Sequence, residues 1–201
     1  MTLIILIAVV AVVGLAVLLL YNRMIARRQA VDNSWAQIEA ALQRRHDLIP
    51  NLVESVKGYA KHEQTTFENV TKARTRAVDA KAPPSQAAAE DTLTQAIGRL
   101  MVVAEQYPEL RATENFQQLQ ASLNETEDQI QITRRVYNDT VQTYNTLIQI
   151  FPPSLVARAF NFEARQFFDA PREAEATPEV SFPEAGRAGE SPPAGGGEAK
   201  Q

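Results

Sequence analysis

The chain is 201 residues long, 45% hydrophobic and 22% charged, with a formal net charge of −4. It holds no cysteine, and its only histidines are His46 and His62. That excludes disulfides, thiolate metal sites, cysteine nucleophiles and thioether anchors, and leaves little material for imidazole chemistry. A net charge of this sign and size lacks the basic excess of a nucleic-acid binder, so no nucleic-acid partner is expected.

The first element is an apolar run without a charged side chain, from Leu3 to Tyr21. Its members are Leu3, Ile4, Ile5, Leu6, Ile7, Val9, Val10, Val12, Val13, Leu15, Val17, Leu18, Leu19 and Leu20, closed by Tyr21. As a helix, 19 residues rise about 28 Å, close to the ~30 Å hydrocarbon core of a bilayer, and Tyr21 stands where an interfacial aromatic belongs. A cleaved leader would open on basic residues and close on a small-x-small site. Met1-Thr2 carries no basic side chain and the run ends in Tyr-Asn-Arg-Met, so residues 1–21 are expected to be a retained transmembrane anchor, with the lipid bilayer as partner. Arg23, Arg27 and Arg28 follow the run and no Lys or Arg precedes it. The positive-inside rule then places the bulk of the chain on the cytoplasmic side of a cell inner membrane. Absence of cysteine fits that compartment.

Residues 22–169 read as helices with hardly any strand signal. Trp35, Leu42, Ile49, Val56, Glu63, Val70 and Ala77 recur every seven residues, with Val31, Ile38, Arg45, Leu52 and Tyr59 as companions. The pattern crosses Pro50 in phase, which favours a kinked continuous helix over two separate helices meeting at the proline, and the same register can carry on backwards into the anchor as a single rod. Pro83-Pro84 ends it, and a further helix is expected from about Ser85 to Gln106 with Leu93, Ile97, Leu100 and Val103 on its apolar face. A second heptad ladder, Phe116, Leu123, Ile130, Tyr137, Tyr144 and Phe151, has companions Leu119, Thr126, Thr133, Thr140 and Leu147. It predicts one helix of about 38 residues with a polar middle. Pro152-Pro153-Ser154 breaks it, and a short amphipathic helix with Leu155, Val156, Phe160 and Phe162 follows. Short connections between long helices make neighbours antiparallel. The expected fold class is therefore all-α: a single N-terminal transmembrane helix, then an antiparallel three- to four-helix bundle.

Charge divides across these elements. Residues 22–81 carry 11 Lys/Arg against 7 Asp/Glu, net +4, and residues 82–169 carry 6 against 11, net −5, which reads as a self-complementary bundle, the alternative being a basic face for an external acidic partner. Residues 170–201 hold five Pro, five Gly and six Glu, with Phe182 their only aromatic; that composition predicts a disordered tail.

Several longer motifs carry a family resemblance. They are Arg44-Arg45-His46-Asp47-Leu48-Ile49-Pro50-Asn51-Leu52-Val53, Gly58-Tyr59-Ala60 with His62-Glu63, Ala73-Arg74, and Ala104-Glu105-Gln106-Tyr107-Pro108-Glu109-Leu110. Others are Glu114-Asn115-Phe116, Leu119-Gln120, Glu127-Asp128-Gln129-Ile130, Arg134-Arg135-Val136-Tyr137-Asn138, Tyr144-Asn145 and Phe151-Pro152. Over about residues 22–169 the chain resembles the LemA family, with His46 standing where a tyrosine is more typical. The resemblance implies a bacterial membrane protein with one N-terminal span and a helical-bundle domain. It implies no activity.

The residues themselves offer little chemistry. Glu-x-x-His, which would project two metal ligands inward, fails at both histidines, where Gln43 and Tyr59 stand three residues upstream; phosphate-loop, nucleophile-elbow and zincin motifs are absent from the sequence. Arg45 and Glu63 fall on core positions, with Glu105, Glu127 and Asp128 as counter-charges. They read as a polar layer fixing helix register, the alternative being a site for an ion or small cation. Arg134 and Arg135, beside the Asn138 and Asn145 row, read as solvated surface. No catalytic residue, cofactor or resident metal is expected. The function this supports is a non-enzymatic scaffold or interaction module for an unidentified membrane or cytosolic protein, or for a second copy of the chain. Its alternatives are a metal- or ligand-dependent protein using the polar layer, and an envelope-facing remodelling or stress factor.

Overall fold

A computed structural model describes residues 1–168; the tail expected over 170–201 lies outside them. Among the described residues there are six helices and no strand: α1 (Thr2–Lys57), α2 (Gln64–Asp79), α3 (Pro83–Glu105), α4 (Pro108–Arg111), α5 (Glu114–Gln149) and α6 (Pro153–Ala159).

The rod is present as a single 56-residue helix, α1, which runs through Pro50 without interruption and is about 84 Å long. Its residues 2–16 project with every side chain exposed, and this helix is long and apolar enough to cross a membrane. The first heptad ladder is cut at a place the periodicity did not mark. Gly58 caps α1, the chain turns through buried Ala60, and α2 folds back along α1. An undivided helix would carry Phe67, Val70, Ala73 and Ala77 away from the bundle. Reversal buries them against Ile49 and Val53 of α1 and against Leu93, Ala96 and Leu100 of α3, and a glycine, poor in helix interiors, is where the reversal costs least. Two assigned core positions change as a result: Glu63 becomes the half-buried residue preceding α2, and Tyr59 is exposed. Pro83 and Pro84 open α3, since their missing N–H groups fall where a helix has no intrahelical acceptor anyway.

α5 is 36 residues long and antiparallel to α1: Ser34 Oγ and Thr140 Oγ1 share a hydrogen bond of 2.8 Å near one end, and Arg45 meets Glu127 towards the other. The second ladder holds as far as Tyr144. Phe151 lies beyond the end of α5 and is 79% exposed. Two cores result. Near the apolar run, Met24, Val31, Ile38 and Leu42 pack on Ile130, Tyr137, Val141 and Tyr144. Towards the far end, Leu52 and Val56 join α2, α3, Leu110 of α4 and Phe116 of α5 in a core that five helices share.

Candidate functional site

Between the two cores lies a polar layer. Arg45 Nη1 is 3.4 Å from Glu90 Oε2 and 3.4 Å from Glu127 Oε2, and Nη2 donates to Thr94 Oγ1 at 2.6 Å. His46 Nε2 lies 2.8 Å from Glu90 Oε1, which also accepts from Gln86 Nε2 at 3.0 Å. Gln86 Nε2 donates as well to the Ala77 carbonyl at 2.9 Å. Arg45, His46, Gln86 and Glu90 are all buried. The layer therefore ties α1, α2, α3 and α5 at one level. No buried side-chain nitrogen or oxygen among the described residues lacks a partner, as a stable buried network requires.

Of the residues assigned to this layer from sequence, Arg45 and Glu127 are in it. Glu105 and Asp128 are exposed and Glu63 sits outside a helix, so none of these three joins it. The reversal at Gly58 removes Glu63 from the α1 face, and a one-residue step turns Asp128 about 100° around the helix from Glu127. Glu90, Gln86 and His46 were missed as partners. An acidic residue within the Ala-rich face of α3, four residues after Gln86, was the available signal.

Alongside the layer, Arg74 Nε donates to the backbone carbonyl of His46 at 2.8 Å. His46 is four residues before Pro50, which has no N–H to give it. Arg74 replaces the missing helical donor, which links two motifs lying 24 residues apart.

The second constructed feature is a strap. After α6 the chain turns at Asn161, whose φ of 55° is left-handed. The Phe162 N–H reaches the Ala157 carbonyl at 2.9 Å and the Asn161 N–H the Arg158 carbonyl at 3.4 Å, the paired closure of a Schellman turn. Residues 162–168 then lie along α5, held by a repeated Tyr-Asn pair. Tyr144 Oη donates to the Glu163 carbonyl at 2.9 Å, and Tyr137 Oη to the Gln166 carbonyl at 2.8 Å. Asn145 closes both sides of Arg165, accepting from its N–H at 2.8 Å and donating to its carbonyl at 2.9 Å. Asn138 accepts from the Phe168 N–H at 3.0 Å. Each pair is seven residues from its repeat on α5 and holds a strap residue three from its own repeat. Seven helical residues rise about 10.5 Å and three extended ones about 10 Å, so the two periods match. Within the strap Phe168 is 1% exposed, its ring 6.1 Å from that of Trp35 and 5.2 Å from the Arg134 guanidinium. Arg134 thus belongs to the strap contact, with Asn138 and Asn145, and not to solvated surface, whereas Arg135 is exposed. Burial raises the Tyr137 and Tyr144 hydroxyls above the ordinary tyrosine value of 10.0, against a smaller lowering by Arg165.

Two apolar cores stapled by one polar layer, an extended strap and a projecting apolar helix define a helical-bundle protein built for fixed geometry. The chain belongs to the LemA family, whose family model matches residues 34–182. It is 29% identical, over an alignment of 190 residues, to magnetosome protein MamQ 1 of Paramagnetospirillum magneticum, covering 81% of this chain and 70% of that one. It is 27% identical over 153 residues to protein LemA of Metamycoplasma hominis, covering 74% and 68%. Neither name is that of an enzyme. The layer and the strap-holding pairs lie within the matched residues; the apolar run precedes them.

Proposed function

We propose that the protein is a single-pass, membrane-tethered scaffold whose bundle stands on the cytoplasmic side of the inner membrane. The observation that carries this reading is the continuity of α1: one helix supplies both the charge-free apolar run and the central member of the bundle. A joint of that kind holds the bundle at a set height and in line with the span, which a flexible linker would not do. Arg23, Arg27 and Arg28, exposed just past the run, give the orientation. Polar-layer donors and acceptors are engaged with one another, which favours a structural over a catalytic use of Arg45 and Glu90.

The surface best suited to a partner is the groove between the end of α1 and α2, of about 550 Å³. Ile49, Pro50, Val53 and Phe67 line it together with Lys57, Lys61, Lys72, Glu54 and Glu68, of which Lys57 pairs with Glu54 and Lys72 with Glu68. That chemistry suits a segment with apolar side chains flanked by charges of both signs. A reporter fused after Gln201 and active on one side only tests the orientation, with cytoplasmic activity expected. A photo-crosslinking residue at Lys61 tests the scaffold role. A discrete adduct in cells, lost on reversal of the exposed groove charge in Lys57→Glu, is expected. Adduct formation that ignores Lys57→Glu would remove the groove from the proposal.

A further inference from the structure

The bundle has an apolar corner that its own cores do not cover. Ile150, Phe151, Leu155 and Phe160 are large, exposed and grouped at the α5–α6 junction, and Ile150–Ala157 includes no charged side chain. The corner's position is fixed by what packs behind it. Val156 and Ala157 belong to the core cluster against which Val17, Leu20 and Tyr21 of the apolar run are packed. The Tyr21 ring lies 5.0 Å from that of Phe160 and 5.7 Å from that of Phe162.

These contacts set a depth. The run from Leu3 to Tyr21 rises about 28 Å, so its last turn is needed to complete a ~30 Å hydrocarbon layer. That last turn is where α6 is packed. Whatever stands beside Val17, Leu20 and Tyr21 stands at the membrane boundary too. Outward-facing Phe151 and Leu155 then meet acyl chains, where an exposed apolar patch costs nothing. Arg158, exposed at the end of α6, and Arg23, Arg27 and Arg28 on α1 fall at the headgroup level next to it.

We infer that the α5–α6 corner is a second, monotopic membrane contact, seated in the same leaflet through which α1 leaves the bilayer. It rests on the reading of α1 as a transmembrane anchor. Two points of attachment fix both the tilt of the rod and the face the bundle turns to the membrane, which a single span leaves free to rotate.

The absence of native cysteine makes a site-directed spin-label experiment clean. Full-length chains carrying Phe151→Cys, Leu155→Cys, Val10→Cys or Asn124→Cys are labelled with a nitroxide in vesicles containing one-third anionic lipid. Collision with oxygen, which concentrates in lipid, is compared with collision with a water-soluble nickel chelate. Positions 151 and 155 are expected to give an oxygen-to-nickel ratio severalfold above that at Asn124 in the bundle and below that at Val10, which lies near the middle of the span. If Val10 reports lipid while 151 and 155 match Asn124, the corner is in water and the inference fails with the anchor intact. Shielding of 151 and 155 from both reagents, with dipolar broadening between labels, would overturn it in favour of a second copy covering the corner. Water-like behaviour at Val10 would overturn the anchor reading itself.

Discussion

Pro50 and Arg74 are one device written in two places. The proline removes the donor that His46 O would find in an uninterrupted helix, and Arg74 Nε restores it from α2 at 2.8 Å. Arg74→Ala leaves a carbonyl without its partner, an expected loss of about 1–3 kcal/mol. In a Pro50→Ala background the helix can supply its own N–H, so the same Arg74→Ala change is expected to cost less than about 1 kcal/mol. Urea denaturation of the four proteins measures the coupling; simple additivity would refute the compensation. Glu90 is the second residue with several dependants, since Arg45, His46 and Gln86 all bond to it. Glu90→Ala takes the buried carboxylate from Arg45, His46 and Gln86 and leaves Arg45 only Glu127 and Thr94, for an expected loss of about 3 kcal/mol. Glu90→Gln keeps an acceptor in place and is expected to lose less. Equal losses in the two variants would show that packing, not pairing, is what Glu90 supplies.

At the scale of elements, the strap shows how a heptad can serve two purposes. Tyr137 and Tyr144 are core positions by spacing, and their rings are buried as that spacing demands; their hydroxyls, with Asn138 and Asn145, satisfy a backbone that has no strand neighbour. Asn145→Ala removes both bonds to Arg165 and is expected to cost about 1–3 kcal/mol. Hydrogen exchange at the Arg165 amide should accelerate before any helix amide does, and unchanged protection there would contradict the pairing. The tyrosines add a pH dependence with a definite sign. Their folded-state values are raised above 10.0 by burial, so above pH 10 the unfolded chain loses protons that the native state retains. Stability from these groups is full below that pH and falls as pH rises through the folded values. Alkaline titration is therefore expected to release the strap first, seen as loss of protection at residues 163–168. Tyr137→Phe/Tyr144→Phe should be weaker at neutral pH and flatter above pH 10.

Periodicity made most of the helices legible, because burial on a 3.6-residue period is a local property of the sequence. It did not reveal the reversal at Gly58, since α2 repeats the phase of α1 while running the opposite way; only the partners that Phe67 and Val70 find on α3 distinguish the two arrangements. The polar layer was half legible for the same reason. Arg45 announced itself as a charge on an apolar face, whereas Glu90 becomes its partner only once α3 is placed. The strap is marked in the sequence by a Tyr-Asn pair repeated at seven residues, but the extended segment it holds has no periodicity of its own to name it as the partner.

For the whole molecule, the bundle and the projecting run should be separable at a predictable point on α1. Residues 1–16 touch no other part of the described chain to the extent of burial, while Val17, Leu20 and Tyr21 pack onto the core that holds Met24, Val156 and Ala157. Removing residues 2–16 should leave the unfolding midpoint in mild detergent unchanged, because no packing is lost. Removal of residues 2–21 strips three apolar side chains from that core, worth about 1–3 kcal/mol each where burial is full and less here, where it is partial. For a domain of this size each kcal/mol shifts Tm by about 2–4 °C, so a fall of several degrees is expected for the longer deletion alone. Circular-dichroism melts of the two truncations decide it. Equal midpoints would mean that the run ends before the bundle begins, and α1 would then be two elements that merely share a helix. A drop confined to the longer deletion would place the joint at Val17–Tyr21, where core packing and the apolar run overlap on the same turns of one helix.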